Sequence, residues 1–374
     1  MIRILHVVHA LTRGGGLSHF VMNYYRNIDR EKIQFDFLYF KEVENDFKEE
    51  ISMLGGEYYY MSMPSASIAF FKQSDSFFKQ NSEKYTAIHC HALFAVSVFA
   101  PFAKKYGLKN IIAHSHSVGY GIGFIKKLRN LYFVKRAKRL SQYHLACSLE
   151  AAEFMFGKSE ISENKVKIIN NAIDINKYMY NGDLKEKIRN ELGLKNKFII
   201  GHVGGFVQLK NHSFLIDVFN EIVKINQNAH LILIGADGTT SDGSSKNKIV
   251  EKTHEYSLQD HIHFLGIRDN INELMMAMDI FIFPSLYEGL GLVLIEAQAT
   301  GLLCYASDNV PKDSKLTDRI RYLSLKKTPF EWAEIILNDK LSNQNREMDI
   351  NLFDKFNIET QKSVLENIYL EMNN

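Results

Sequence analysis

The sequence predicts an α/β protein built from two doubly wound, parallel-sheet domains. Short apolar runs alternate with amphipathic helical stretches along almost the whole chain, the pattern of a parallel sheet wrapped by helices. A length of 374 residues is long for one domain and ordinary for two. A polar, charge-rich stretch over 176–197 interrupts the alternation, which then begins again.

In the first half, strands are expected at 2–8, 35–40, 87–91, 111–114, 143–147 and 166–169, each a short run rich in Ile, Val, Phe or Leu. Helices are expected between them at 18–28, 68–81, 92–106 and 124–140, where apolar residues recur at helical spacing. Residues 174–194 are read as a hinge region. Beyond it, strands are expected at 198–203, 231–234, 262–265, 280–283 and 302–305, with a helix at 212–225. The closing segment, 353–372, is helical in pattern. The expected divisions are 1–175, 176–352 and a terminal helix within 353–374. Neither a low-complexity tract nor a repeat of solenoid length is visible.

Composition narrows the partners. With 46% hydrophobic and 24% charged residues the chain can bury substantial cores, and its net charge of +2 gives no general attraction for nucleic acid. Cys90, Cys147 and Cys304 are few, distant and odd in number, as buried thiols in a reducing compartment would be. The opening MIRILHVVHALTRGGG reads as a first strand and not a secretory signal. The longest mainly apolar stretch, 92–103, falls short of the ~20 residues that cross a bilayer. A cytoplasmic protein is expected, or one resting on the cytosolic face of a membrane.

The most informative stretch is 281–297, FIFPSLYEGLGLVLIEA. A buried strand stops at Pro284, a turn carries Gly289 and Gly291, and helical spacing starts at Leu292. Such a junction binds anions, because unpaired backbone N–H groups and the helix dipole point into it. Glu288 lies in the turn and Glu296 about one helical turn further on; two solvated carboxylates at a helix start would be the plainer reading. A second junction, Gly204-Gly205-Phe206-Val207-Gln208-Leu209-Lys210-Asn211, places a lysine where the dipole disfavours it, so a bound diphosphate would supply the compensating charge. A third, Gly14-Gly15-Gly16, follows the opening strand beside Arg13; close approach to a phosphate and a plain turn explain it equally well.

Two further groups stand out. His89 and His91, and His114 and His116, alternate near the ends of two strands and so share faces, a placement that would suit a metal, but no Asp, Glu or Cys completes a ligand set. The stretch 124–140, FIKKLRNLYFVKRAKRL, carries Lys126, Lys127, Arg129, Lys135, Arg136, Lys138 and Arg139 with no acid, while Phe124, Leu128, Leu131 and Val134 recur at helical spacing. That pattern fits an anionic membrane surface or acceptor, or a solvated helix on its own sheet.

The order Pro284-Ser285, Glu288-Gly289, then Glu296-Ala297, with seven residues between the glutamates, closely resembles the signature of retaining glycosyltransferases of family 4. Nearly the whole chain resembles bacterial capsule and exopolysaccharide transferases of that family. The resemblance implies the GT-B fold, two Rossmann-like domains facing across a cleft, with the last helix crossing back to the first domain. It implies a metal-independent enzyme that moves a hexose or N-acetylhexosamine from a nucleoside-diphosphate sugar, UDP being favoured, to a glycan or undecaprenyl-diphosphate-linked acceptor, with the inner membrane surface as a further partner.

By the same resemblance, Glu296 bonds the ribose hydroxyls, Glu288 contacts the transferred sugar, and Lys210 clamps the diphosphate. The backbone of Gly15, Gly16, Gly204, Gly289, Leu290, Gly291 and Leu292 approaches sugar and phosphates, and residues near Ile267 and Arg268 meet the base. His114, or alternatively His116, contacts the sugar. The chain departs from the pattern at Gly205, where the family has an arginine that also holds the diphosphate. Arg13 or Arg268 could compensate, or the enzyme is impaired. A donor-binding protein without transfer activity is therefore the main rival reading. A glycoside hydrolase is the other, although its two carboxylates would have to flank the scissile bond.

Overall fold

The computed structural model describes residues 1–13, 15–65, 67–92, 94–116, 124–237, 239–240, 243–339 and 345–372. The chain forms two units, Met1–Ile173 with Lys355–Asn374, and Asp174–Asp354. The first is built on a seven-stranded sheet in the order Tyr58–Tyr60, Ile33–Tyr39, Ile2–Val7, Ala87–Cys90, Asn110–Ser115, Tyr143–Ala146 and Val166–Ile168. All of its pairings are parallel. Burial on both faces explains the continuous apolar runs that the sequence shows.

One face of this sheet carries the helix Gly16–Asn27 and the closing helix Ile358–Glu371. Ile358, Leu365 and Tyr369 of the closing helix are buried against Phe35, Ile112 and Leu145, each such side chain contributing about 1.5–3 kcal/mol. Asn357 caps that helix by accepting from the Glu359 N–H at 3.1 Å. The opposite face is covered by Ile68–Asn81, Ala95–Lys105 and Phe124–Leu140.

The second unit has a six-stranded parallel sheet in the order Ile262–Gly266, Ala229–Ile234, Phe198–Val203, Ile280–Phe283, Leu303–Ser307 and Ile320–Leu323. Its two cores lie on either side of that sheet. In each sheet the first strand of the unit pairs on both sides with strands of its own sheet, Ile2–Val7 with Ile33–Tyr39 and Ala87–Cys90, and Phe198–Val203 with Ala229–Ile234 and Ile280–Phe283. Chain order reverses there, and ligands of open α/β sheets bind outside the carboxyl ends of such strands.

Several expectations need correction. The helix expected from residue 18 begins at Gly16, and short strands form at the edges, Tyr58–Tyr60 and Ile320–Leu323, where none was expected. Residues 174–194 form no open hinge. They contain helices Ile175–Tyr178 and Gly182–Glu191, which belong to the second unit. Arg189, buried there, donates from Nη2 to Asp279 Oδ1 at 2.6 Å and from Nε to the Ala277 carbonyl at 2.8 Å. Most charged side chains of the segment are exposed, as in a linker, but Arg189 is paired and inside.

Candidate active site

The second unit gathers most of the expected donor residues at its reversal point. Leu286 N–H donates to the Leu209 carbonyl at 2.8 Å, and Asn211 Nδ2 donates to the Pro284 carbonyl at 3.1 Å. These two bonds tie the Gly204–Asn211 junction to the Pro284–Leu292 junction. Asn211 takes left-handed geometry at φ +55°, as Asn does more readily than most residues, and heads the helix His212–Ile225. Lys210 sits in the turn just before it and donates from Nζ to Glu288 Oε1 at 2.6 Å. Its ammonium also lies 4.8 Å from the centre of the Phe283 ring. With side-chain exposures of 22% and 13%, the pair is largely withdrawn from water, so each partner would be costly to leave alone.

Gly204 packs against this lysine: a Cβ there would come within 3.1 Å of Lys210 Cδ and 3.2 Å of His202 Nε2. By contrast, a Cβ on Gly205 would meet only the Ala236 carbonyl oxygen, at 3.6 Å. Nothing steric demands glycine where the resemblance expects arginine. Sequence reasoning missed His202 and His212, which lie beside the junction with ring centres 4.7 Å apart. The Nε2 atoms of both, and Ser285 Oγ, are buried and meet no hydrogen-bonding partner among the described residues. Burial holds His202 well below the usual imidazole range and brings His212 to about 4, so both are neutral at pH 7. His202, inside the strand Phe198–Val203, reads like any other core position, and His212, the first residue of the helix His212–Ile225, reads like an ordinary helix start, which is why these two escaped notice.

Gly291 heads the helix Leu292–Ala299 at φ +81°, a conformation that suits glycine. Gly289 is exposed, whereas Leu290, Leu292 and Glu288 are half-buried. Glu296, one turn into the helix, is partly buried, and desolvation pushes its carboxyl up to about 7, a rise that the Tyr178 hydroxyl tempers by hydrogen bonding. Tyr178 comes from the misread hinge segment. Arg268 is exposed just beyond the strand Ile262–Gly266.

In the first unit, Gly15 caps the helix Gly16–Asn27 at its amino end, while Gly14 lies outside the described residues. Arg13 is committed elsewhere: its Nε donates to the Asp46 carbonyl at 3.0 Å, its Nη2 reaches Glu50 at 3.4 Å, and its guanidinium lies over Phe47. It is therefore tied to the segment 46–50 of its own unit.

The histidines join into a chain that the sequence hinted at only in part. His114 Nδ1 meets His89 Nε2 at 3.0 Å, and His89 Nδ1 meets the Tyr369 hydroxyl at 2.6 Å. That hydroxyl lies 3.5 Å from His6 Nε2; His6 Nδ1 pairs with His91 Nε2, and His91 Nδ1 with His116 Nε2, both at 2.9 Å. Neutral imidazoles, each with one donor and one acceptor nitrogen, can satisfy every link in a single direction. Burial supports that state by holding His89, His91 and His114 well below the usual range and pushing His6 and His116 down to about 3. His114 Nε2, buried at the end of the chain, has no partner among the described residues. The triads His6, His89, His91 and His91, His114, His116 are close enough to hold a metal ion, but hydrogen bonds between the rings already occupy most of their nitrogens.

The basic helix Phe124–Leu140 divides its charges; the side chain of Lys126 lies outside the described residues. Lys138 is tied inward, to the Phe156 carbonyl at 2.9 Å and to Glu160 at 3.2 Å. Lys127, Arg129, Lys135 and Arg139 are exposed. The expected apolar stripe is broken, because Val134 and Ala137 pack inward while Leu128 is 52% exposed. No helix among the described residues is long and apolar enough to cross a membrane.

Comparison with known proteins bears on the fold and the family. The family model for glycosyl transferases group 1 matches residues 184–319, and that for glycosyltransferase family 4 matches residues 14–177. The putative glycosyltransferase EpsF of Bacillus subtilis is 34% identical over 341 residues, covering 89% of this chain and 86% of EpsF. A UDP-Gal:alpha-D-GlcNAc-diphosphoundecaprenol alpha-1,3-galactosyltransferase of Escherichia coli is 27% identical, over 60% of this chain and 58% of the relative. The crystal structure of Anabaena HepE in complex with UDP and glucose superposes with a TM-score of 0.77 at 20% identity, covering 98% of this chain and 99% of HepE. The two parallel sheets with their reversal points are thus those of the GT-B fold, and the chain belongs to the glycosyltransferases of GT-B type.

Proposed function

We propose that this glycosyltransferase moves a hexose or N-acetylhexosamine, with retention of configuration and without a metal, from a UDP-sugar to a lipid-linked glycan during surface polysaccharide assembly. The observation that carries the reading is the Lys210–Glu288 pair at the reversal point of the second sheet, 2.6 Å apart and mostly shielded from water. A diphosphate arriving beside Lys210 takes over its charge and releases Glu288 to accept from sugar hydroxyls. As the sugar–phosphate bond breaks, charge grows on the diphosphate, and Lys210 with the amide groups at the start of Leu292–Ala299 stabilises it. The acceptor hydroxyl attacks from the same face and passes its proton to the departing phosphate. Glu296 receives the ribose hydroxyls, and that binding favours its ionised form.

UDP as the donor nucleotide draws support from the galactosyltransferase and HepE, whose names carry it. The lipid-linked acceptor draws support from the former, and the exposed cations of Phe124–Leu140 suit work at the cytosolic membrane face. The test is a thermal-shift panel of nucleotide sugars followed by transfer assays. UDP-sugars should stabilise the protein, Glu296→Ala should weaken that shift, and Lys210→Ala should act mainly on turnover. No shift with any nucleotide sugar, or unchanged kinetics in both variants, would sink the assignment. A second reading, donor binding with impaired transfer, is favoured by Gly205 together with the commitment of Arg13; it predicts a full shift with UDP-sugars and no transfer to any acceptor.

A further inference from the structure

The first unit holds a cavity of about 1110 Å³ between the helices Ile68–Asn81, Ala95–Lys105 and Phe124–Leu140. This is at or above the upper end of ordinary small-molecule sites, ~300–1,000 Å³. Its walls are aromatic, with Phe70, Phe94, Phe102 and Phe133 among the lining residues. Phe71, also in the lining, is 52% exposed, so greasy surface continues out of the cavity into solvent. His9, just past the carboxyl end of Ile2–Val7, links the cavity to the edge of the sheet where the chain order reverses.

One wall is cationic. Arg129, Phe133 and Arg136 follow one another at intervals of four and three, so they share one face of Phe124–Leu140. Arg136 donates from Nε to the Ser97 carbonyl and from Nη1 to the Tyr132 hydroxyl, both at 3.3 Å, and Arg129 donates to Asn130 Oδ1 at 3.3 Å. All of these partners are neutral, and among the described residues neither guanidinium meets a carboxylate. The acid in the lining, Asp75, is already neutralised by Lys105 at 2.6 Å and bonded by the Tyr106 hydroxyl at 2.8 Å. An aromatic cavity bordered by two arginines lacking counter-charges complements an amphiphile with an anionic head and an apolar tail.

We infer that this cavity seats the prenyl diphosphate of a lipid-linked acceptor, with phosphate oxygens on Arg129 and Arg136 and the first isoprene units among the aromatic rings. The inference rests on the lipid-acceptor reading above and gives that acceptor a place. An aromatic cavity of this volume suits a chain that leaves the bilayer, whereas a flat basic face would suffice for lipid headgroups.

Farnesyl diphosphate is a soluble probe of the same chemistry, and calorimetric titration of the full chain reads its binding. The wild type should bind it at least tenfold more tightly than inorganic pyrophosphate, and saturating UDP should leave that binding intact. The double variant Arg129→Ala/Arg136→Ala should weaken it tenfold or more, with UDP affinity unchanged. Phe71→Asp, at an exposed position where folding is not at stake, should weaken it as well. Equal affinity for pyrophosphate, displacement by UDP, or indifference to both variants overturns the inference, and so does capture of phosphatidylglycerol vesicles without binding of farnesyl diphosphate. Farnesyl diphosphate binding without UDP binding would refute the donor assignment instead, so the two failures are separable.

Discussion

Lowering the pH from 7 to 5 should loosen the first unit while relieving a strain in the second. His6 and His116 have folded-state values of about 3 against 6.5 for an unperturbed imidazole. Between those values the unfolded chain takes up protons that the folded chain refuses, so stability falls as pH falls. At 1.36 kcal/mol per pH unit, each of the two loses about 2 kcal/mol between pH 7 and pH 5. His89, His91 and His114 shift in the same direction and add to the loss. Glu296 has the opposite sign, because its folded value of about 7 lies above the 4.5 of an ordinary glutamate. The folded second unit therefore holds a proton that the unfolded chain gives up, and acidification to pH 5 stabilises it by at most about 2 kcal/mol.

Hydrogen exchange separates the two responses, because it is read segment by segment. After correction for intrinsic rates, protection of Ala87–Cys90 and Asn110–Ser115 should drop on the order of a thousandfold, the equivalent of about 4 kcal/mol from His6 and His116 alone. The helix Leu292–Ala299 should hold its protection or gain some. His116→Gln should shrink the drop in the first unit by removing one titrating ring. Equal protection of the two histidine strands at pH 7 and pH 5 would refute the neutral, hydrogen-bonded chain.

Two other substitutions test structural claims. Gly291→Ala forces a side chain into φ +81° at the head of the donor-site helix and should cost about 1–2 kcal/mol, with weaker UDP binding; a melting temperature and affinity equal to wild type would contradict that role. Arg346 donates to the carbonyls of Thr300, Met275, Met276 and Met278 at 2.8–3.3 Å, so it caps the carboxyl ends of both Ile271–Ala277 and Leu292–Ala299. Arg346→Ala should therefore cost on the order of 3 kcal/mol in urea unfolding, and Arg346→Lys should recover part of it; a loss below about 0.5 kcal/mol would show the carbonyls to be satisfied otherwise.

Much of the fold was legible because parallel sheets impose a strong pattern. Strands Phe198–Val203 and Ile280–Phe283 and helices Ile68–Asn81, Phe124–Leu140 and His212–Ile225 fall where periodicity put them. Tyr58–Tyr60 and Ile320–Leu323 were missed because edge strands are short and half-covered, so they lack the continuous apolar run of a central strand. The segment before Leu194 was misread because paired and solvated charges look alike in a sequence; only the Asp279 carboxylate, far along the chain, shows that Arg189 belongs inside.

By itself the sequence determined the alternation that makes two parallel sheets, and the glycine and glutamate spacing that marks the loops at their carboxyl ends. Those signals are local, set by hydrophobic period and by conformations that particular residues tolerate. Which polar groups meet was decided by tertiary structure alone: Lys210 against Glu288, Arg13 against Glu50, Glu296 against Tyr178, and five histidines joined through a tyrosine of the last helix. Hydrogen bonds and desolvation depend on distance in space and on what excludes water, and neither quantity exists until the strands have been set side by side.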